Sequence, residues 1–281
     1  MLVAIDIRNK VITVGLGAQG SWAVVRKLGT LYQRTADEYA MFFRFLMEEA
    51  RAAVPAPALG GTPSGVPEGV PEGVWISSVV PSLTPAVAEG AREVFGLEPR
   101  VIGPGVKTGI KIRTDQPAEL GSDLVSQAAA GRDLTASAFI VVDFGVAITF
   151  SAVNQAGEFL GCAIAPGLEA SAETLRLQAV QIPEVKLEFP SRAIGRSTAE
   201  SVRSGILLGF EGLASRLLDA IAAELRAQGA AEVEVFGTGE AAGRELLERL
   251  GRGRFEPCLV LDGIAAIARK SAAIPAATVS A

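Results

Sequence analysis

The chain has 281 residues, 49% of them hydrophobic and 20% charged, so it is long enough and apolar enough to bury a sizeable core. Its 31 acidic and 26 basic residues give a net charge of −5, which argues against a nucleic-acid-binding protein that depends on a positive field. Histidine is absent, which excludes Ser-His-Asp and Cys-His catalysis, histidine-ligated zinc and imidazole acid–base chemistry. Any catalytic proton must therefore move through a carboxylate, lysine, tyrosine or water.

The two cysteines, Cys162 and Cys258, stand far apart among apolar neighbours. This placement predicts two small core residues rather than a disulfide or a metal site, and it fits a reducing compartment. The first apolar run ends at Asp6, which is too early for a signal peptide, and the most apolar stretch, 138–150, is interrupted by Asp143. We therefore expect a cytoplasmic protein that does not cross a membrane.

The start of the chain predicts three strands followed by a helix. Thr35, with Glu38 three residues later, has the spacing of a capping box and predicts a helix through residues 39–53. The three strands are expected at residues 2–5, 11–16 and 21–25.

A proline- and glycine-rich stretch at residues 55–73 contains the near repeat PEGVPEGV. Such a sequence cannot hold a helix or a central strand, so a surface loop is predicted there. Beyond it, a strand at 75–80, a helix at 86–95 and a strand at 101–102 continue the pattern. Alternation of strands with helices predicts an α/β fold.

Two segments of the chain resemble each other. LVAIDIRNKVITV and FIVVDFGVAITFS each contain an apolar strand that ends in an acid, a short turn and a second apolar strand. The two acids, Asp6 and Asp143, are 137 residues apart. We therefore predict two similar domains, residues 1–131 and 132–281, that face one another across a cleft with both acids directed into it.

A tight hairpin after a strand-end acid suits phosphate, because backbone N–H groups can approach the anion while the acid holds a cation. In the first copy Arg8 and Lys10 flank Asn9, and these cations could either bind phosphate or occupy its place. In the second copy Val146 and Ile148 put branched hydrocarbon where hydroxyls would serve.

Two further positions have both a structural and a functional interpretation. Asp123, within the sequence Gly121, Ser122, Asp123 and Leu124, enters an apolar-periodic helix, so it could be a helix cap or a carboxylate that takes a proton from an alcohol. Thr198 precedes a long predicted helix and could be only its N-cap.

Longer stretches carry a resemblance to a known family. They are ISSVVPSLTP from Ile76, GPGVKTGIKIRTDQPAELGSD from Gly103, GCAIAPGLEAS from Gly161 and IGRSTAESVRSGILLGFEGL from Ile194. Together they resemble the type III pantothenate kinases, a family with the actin-like fold of the sugar kinases, over nearly the whole chain. The resemblance therefore implies two actin-like, ribonuclease H-like domains.

The resemblance implies transfer of the γ-phosphoryl group of ATP to the primary hydroxyl of pantothenate, with Mg²⁺ and K⁺ or NH₄⁺, by a dimer. Asp123 would then be the catalytic base, in a substrate site with Gly121, Ser122 and Leu124. Asp6, Asn9 and Lys10 would bind the ATP phosphates and Mg²⁺, and Asp143 would bind the monovalent cation. Thr198 would contact pantothenate in the pocket of the partner subunit.

The chain departs from the family pattern chiefly at the nucleotide side. The first phosphate motif, usually Asp-x-Gly-Asn-Thr, has Arg8 for glycine and Lys10 for threonine, and the second has Val146 for its first threonine. Glu240 replaces the last glycine of Thr-Gly-Gly, and Leu124 replaces the arginine expected to meet the pantothenate carboxylate.

Three functions follow from this pattern. The leading hypothesis is a degenerate pantothenate kinase subunit that forms a homo- or heterodimer, with an intact related chain supplying the ATP site. The alternatives are a self-sufficient kinase with altered nucleotide or acceptor preference and a non-enzymatic regulator or ligand sensor. None of the three functions involves nucleic acid or a membrane as a partner.

Overall fold

Two β-sheets and seven α-helices make up the described part of the chain, residues 1–18, 20–52, 71–179 and 181–272 of a computed structural model. The predicted α/β class is confirmed. The strands are β1 Leu2–Ile7, β2 Val11–Ala18, β3 Ser21–Gly29, β4 Gly73–Ser78, β5 Arg100–Val101, β6 Lys111–Ile112, β7 Ala138–Phe144, β8 Ala147–Val153, β9 Glu158–Pro166, β10 Val233–Gly239 and β11 Arg254–Phe255. The helices are α1 Ala36–Ala52, α2 Thr84–Phe95, α3 Ser122–Leu134, α4 Leu168–Gln178, α5 Thr198–Ala227, α6 Ala241–Leu250 and α7 Leu259–Ala272, with a short 3-10 helix at Pro117–Glu119.

Contacts divide the chain into two compact units. Among the described residues, the first unit contains those in 1–110, 118–130 and 258–272, and the second contains those in 111–117 and 131–257. The predicted boundary between residues 131 and 132 lies next to the change of unit at 130. The last helix differs from the prediction, because α7 packs on β1, β2 and β4 of the first unit.

The first sheet has the order β3-β2-β1-β4-β5. β1 and β2 form an antiparallel hairpin, β3 continues it, and β4 lies parallel to β1 on the other side. Asp6, near the end of β1, is opposite Thr13 of β2 and Ser77 of β4. Side chains directly opposite each other share a face of the sheet, so the acid has a hydroxyl residue on either side.

The second sheet repeats this arrangement. Its order is β11-β10-β7-β8-β9-β6, in which β9, β8, β7, β10 and β11 correspond to the five strands of the first sheet and β6 is an addition at the edge. Asp143, near the end of β7, is opposite Thr149 of β8 and Thr238 of β10. The internal resemblance in the sequence therefore reflects two equivalent hairpins with equivalent acids.

The beginning of the chain folds much as its sequence predicts. Strands β1, β2 and β3 start at the predicted residues and run two to four residues further. The capping box is present, because the Thr35 amide donates to Glu38 Oε2 at 2.8 Å and the Glu38 amide donates to Thr35 Oγ1 at 3.3 Å. Of the predicted loop at 55–73, residues 55–70 lie outside the described residues, and Gly73 already begins β4.

The prediction that both cysteines are core residues is wrong. Cys162 is exposed and Cys258 is half-buried. The reason is the two-residue period of a strand, since Cys162, Ile164 and Pro166 alternate with partly buried residues along β9 and form its exposed side. An apolar run alone does not show which face of a strand is covered.

Helix α7 is fixed to the first unit by polar and steric contacts. Asp262 Oδ1, in the first turn of α7, accepts hydrogen bonds from Trp22 Nε1 at 2.8 Å and from the Gly20 amide at 2.9 Å. Gly263 lies directly against α3, where a Cβ atom would overlap the carbonyl of Ser126. The C-terminal helix thereby completes the unit that begins at the N-terminus.

We expect Gly263→Ala to lower the free energy of unfolding by about 3 kcal/mol, because the added methyl group meets backbone rather than a movable side chain. Chemical denaturation would measure the change. Gly212→Ala, on α5, is the matched control: a Cβ atom there has nothing within 4 Å, so a gain of about 0.5 to 1 kcal/mol is expected. Equal effects of the two substitutions would contradict this packing.

Glu158, at the start of β9, generates a pH prediction. Its carboxylate accepts hydrogen bonds from Arg113, Asn154 and Lys111, which lower its pKa from 4.5 to about 2. A lowered pKa means that the charged form favours folding, so this contribution is complete above about pH 4.5 and is lost as the pH falls towards 2. Glu158→Gln should therefore reduce the drop in Tm between about pH 5 and pH 3, whereas Glu232→Gln, an exposed glutamate, should not.

Candidate active site

The tip of the first hairpin is a tight turn that does not need glycine. The Arg8 amide donates to the Val11 carbonyl at 3.1 Å, and Thr30 binds the tip through its hydroxyl to the Arg8 carbonyl and its amide to the Lys10 carbonyl. No described non-glycine residue has a positive φ angle. The backbone at residue 8 therefore accepts an arginine without strain.

The Arg8 side chain folds back onto Asp6. Its Nε atom donates to Asp6 Oδ2 at 2.7 Å, and the two side chains are 24% and 4% exposed respectively. A carboxylate so well buried requires a compensating charge, and here the hairpin itself provides one. Asn9 and Lys10, the other predicted phosphate contacts, are exposed at the turn.

The predicted catalytic segment, residues 121–124, lies at the carboxyl end of β4, beside the end of β1 that carries Asp6. Ser122 Oγ, at the start of α3, accepts from the Ser78 amide at 2.9 Å and lies 3.0 Å from the hydroxyl oxygen of Ser77. Ser77 is also the β4 residue opposite Asp6. The fold therefore brings Asp6 and the N-terminus of α3 together.

Asp123 is the second residue of α3, inside the helix rather than at its N-cap. Its Oδ1 atom accepts from the Leu124 amide at 2.9 Å, and the side chain is half-buried rather than enclosed. Gly121 makes room for it, because a Cβ atom there would overlap Asp123 Oδ1. Leu124, in contrast, is 8% exposed and packs as an apolar residue, so it offers no charge to a substrate.

The second hairpin combines Asp143 with two threonines. Asp143 is buried between Thr149 and Thr238, and the buried Thr149 hydroxyl has no hydrogen-bond partner among the described residues. Gly239, with φ +103°, lets the β10 backbone approach, since a Cβ atom there would lie 2.8 Å from Asp143 Oδ1. The sequence analysis did not identify Thr149. Its equivalence to Thr13, which follows the acid of the first repeated segment in the same way, could have indicated it.

Val146 lies at the tip of this second hairpin and is 40% exposed. Its carbonyl accepts from the Gly167 amide at 2.8 Å, and the neighbouring Phe144 carbonyl accepts from the Glu240 amide at 2.7 Å. The tip is thus fixed by backbone contacts, whereas the side chain at residue 146 contributes only hydrocarbon. A threonine there would add a donor without altering these contacts.

Thr198 is not the N-cap of α5. Ser197 is, because its Oγ accepts from the Glu200 amide at 3.2 Å, while Thr198 is the first helical residue and is exposed. Hydrogen bonds from the Arg196 amide and from Arg192 lower the pKa of Glu200 and connect this first turn to the segment before it. Thr198 is therefore available to contact another molecule.

The two hairpins differ in their fitness for a cation. No group of three cysteine, aspartate or glutamate side chains with metal-binding geometry occurs in the part of the chain that the structure describes. Mg²⁺ does not fit at Asp6 as it stands, because Arg8 already neutralises and hydrogen-bonds that carboxylate. The oxygens of Asp143 and Thr149 do fit a monovalent cation, since hard cations take carboxylate and hydroxyl oxygens.

Two sheets that share an order of five strands, each with a strand-end acid between hydroxyl residues, have the duplicated α/β arrangement of the actin-like fold. A solved structure of a Baf family protein from Campylobacter jejuni covers 97% of this chain and 100% of its own, with a TM-score of 0.59 and 15% identity. At that identity the likeness shows the fold alone.

Sequence comparisons identify the family. The model of type III pantothenate kinases matches residues 2–220. A type III pantothenate kinase of Dehalococcoides mccartyi strain BAV1 is 37% identical over 224 residues, 80% of each chain. That of Moorella thermoacetica is 34% identical over 271 residues, 94% of this chain and 97% of its own. The chain belongs to the type III pantothenate kinase family. None of its described helices is long and apolar enough to cross a membrane.

Replacing Arg8 by glycine should create a divalent-cation site at Asp6. We expect millimolar Mg²⁺ to leave the Tm of the unmodified protein unchanged but to raise that of Arg8→Gly by several degrees, because the cation then compensates a buried carboxylate. Differential scanning calorimetry measures both.

The matched control adds Asp6→Asn to Arg8→Gly, and the Mg²⁺-dependent rise in Tm should then vanish. A rise of the same size in the unmodified protein would show that Arg8 does not exclude the metal.

Proposed function

We propose that this chain is a pantothenate kinase subunit of coenzyme A biosynthesis whose own ATP site is impaired, and that it works with an intact related chain that supplies ATP. The observation that carries the proposal is the ion pair between Arg8 and Asp6. It occupies the carboxylate that would hold Mg²⁺ and the nucleotide phosphates. Membership of the family supports pantothenate as the acceptor.

Magnitudes support an impaired site. Phosphoryl transfer depends on positioning and on neutralising phosphate charge, and the loss of one transition-state donor costs about 2.7 to 4 kcal/mol, or a factor of about 10² to 10³ in rate. This chain lacks the hydroxyl at Val146 and the cation at Leu124, and its Asp6 is occupied. Even with partial overlap of these effects, the isolated chain should turn over very slowly.

Features of the second unit support a partner chain. Thr198 is exposed at the start of α5, where it could reach into a neighbouring subunit. On the same unit Ile164, Leu177 and Ile194 are 67%, 68% and 82% exposed. A partner chain that covered these side chains would remove their apolar surface from water.

A specific observation favours the second candidate, a self-sufficient kinase with altered preference. The absence of a side chain at Gly121 leaves space for the Asp123 carboxylate. Asp143 lies opposite Thr149 on one neighbouring strand and Thr238 on the other. In such an enzyme Asp123 would accept the proton of the acceptor hydroxyl, and Asp143 with Thr149 would hold the K⁺ or NH₄⁺ that neutralises nearby phosphate. Arg8 would then take the place of Mg²⁺ as the positive charge that contacts phosphate.

The test is co-expression of this chain with a type III pantothenate kinase from the same genome, followed by assay of pantothenate phosphorylation by each chain and by the pair. We expect the pair to exceed the intact chain alone by at least tenfold, and this chain alone to be at least a hundredfold slower than the pair. Thr198→Val in this chain should lower the activity of the pair, and Ser191→Ala, an exposed residue preceding α5, should not.

A pair no faster than the intact chain alone would contradict the two-chain proposal. Steady turnover by this chain alone, abolished by Asp123→Asn, would establish the self-sufficient kinase instead. Binding of pantothenate or ATP without turnover in any combination would favour a ligand sensor.

A further inference from the structure

A groove in the second unit is lined by none of the predicted site residues. It has a volume of about 640 Å³ and is bounded by the end of α5, the start of β10 and the segment that leads into β11. Val233, at its floor, precedes Thr238 by five residues, or about 16 Å along the strand. The groove is thus at the amino end of β10, whereas Asp143 and Thr238 lie near the carboxyl end.

The floor of the groove is apolar and its rim is basic. Leu218, Ala222, Val233 and Val235 supply hydrocarbon. The ionic side chains around it are three arginines and two acids, a balance of +1 in a chain whose net charge is −5: Arg226, Arg252, Arg254, Asp219 and Glu234.

Both acids at the rim already have partners. Asp219 Oδ1 accepts from Arg252 Nη1 at 2.6 Å, and Glu234 accepts a hydrogen bond from the Thr135 hydroxyl. Arg226 is exposed in the last turn of α5 and forms no ion pair with any acid in the described ranges. Arg226 therefore lines the groove as an arginine that no described acid neutralises.

The other two arginines are held in place before any ligand arrives. Gly253 separates them with φ +73°, and a Cβ atom there would overlap the Val235 carbonyl, so this segment lies directly on β10. Arg254 stacks over the Phe236 ring at 4.9 Å and pairs with Glu256, while Asp219 holds Arg252. Donors that are already ordered lose little entropy on binding.

We propose that this groove binds an organic phosphate with an aliphatic portion. The guanidinium groups of Arg226 and Arg252 would take the phosphate oxygens, whose geometry matches the planar fork of arginine. The aliphatic portion would lie on Ala222 and Val233, and the volume is that of a site for a small molecule. This site does not depend on whether the chain itself transfers phosphate.

The experiment is isothermal titration calorimetry of the full chain with n-hexyl phosphate, and with inorganic phosphate and 1-hexanol as separate probes. We expect saturable binding of n-hexyl phosphate with a submillimolar Kd, and at least tenfold weaker binding of each other probe. Arg226→Gln should weaken n-hexyl phosphate at least tenfold, while Arg216→Gln, an exposed arginine on the same helix outside the groove, should leave the Kd unchanged.

Two results would overturn the proposal. One is n-hexyl phosphate binding that is absent or equally strong in Arg226→Gln. The other is inorganic phosphate bound as tightly as n-hexyl phosphate, since the apolar floor would then have no role. Because Arg226 is exposed, its substitution should leave the Tm unchanged, and calorimetric scanning of both variants checks this.

Discussion

The ion pair between Arg8 and Asp6 is the constraint on which the interpretation of this molecule depends. A carboxylate buried at the end of a central strand needs a counter-charge, which a ligand-bound metal or a side chain of the protein can provide. In the first unit the protein provides it, through a hydrogen bond of 2.7 Å from the Arg8 guanidinium. In the second unit the equivalent Asp143 lies beside the hydroxyl residues Thr149 and Thr238.

The duplicated scaffold explains how the two hairpins can differ without loss of the fold. Strand order and register are set by buried apolar faces and backbone pairing, and the two sheets share the order of five strands. The tips of the hairpins are held by backbone contacts, such as those of Thr30 with Arg8 and Lys10 and that of Gly167 with Val146. Side chains at the tips can therefore change while the strands stay in place.

The sequence was informative where local chemistry decides the structure. Thr35 and Glu38 cap α1 as predicted, and the similarity of the segments around Asp6 and Asp143 corresponds to the repeated strand order. Such features depend on neighbours along the chain or on a pattern that occurs twice. The roles assigned to Asp123, Asp143 and Thr198 remain predictions, which the geometry accommodates.

The sequence was uninformative where distant contacts decide. The exposure of Cys162 depends on which face of β9 is covered, and the place of α7 in the first unit depends on Trp22 and Asp262, which are 240 residues apart. The choice of Ser197 over Thr198 as N-cap follows from backbone geometry at two adjacent hydroxyl residues. Arginines at 226 and 252 are likewise brought to one groove only by the packing of α5 on β10.

The most direct test of the central claim is the affinity of the purified chain, without any partner, for a non-hydrolysable ATP analogue with Mg²⁺, measured by isothermal titration calorimetry. The ion pair at Asp6 predicts no saturable binding below about 1 mM. A micromolar Kd that Asp6→Asn weakens by tenfold or more would contradict the account, because Asp6 would then serve the nucleotide in spite of Arg8.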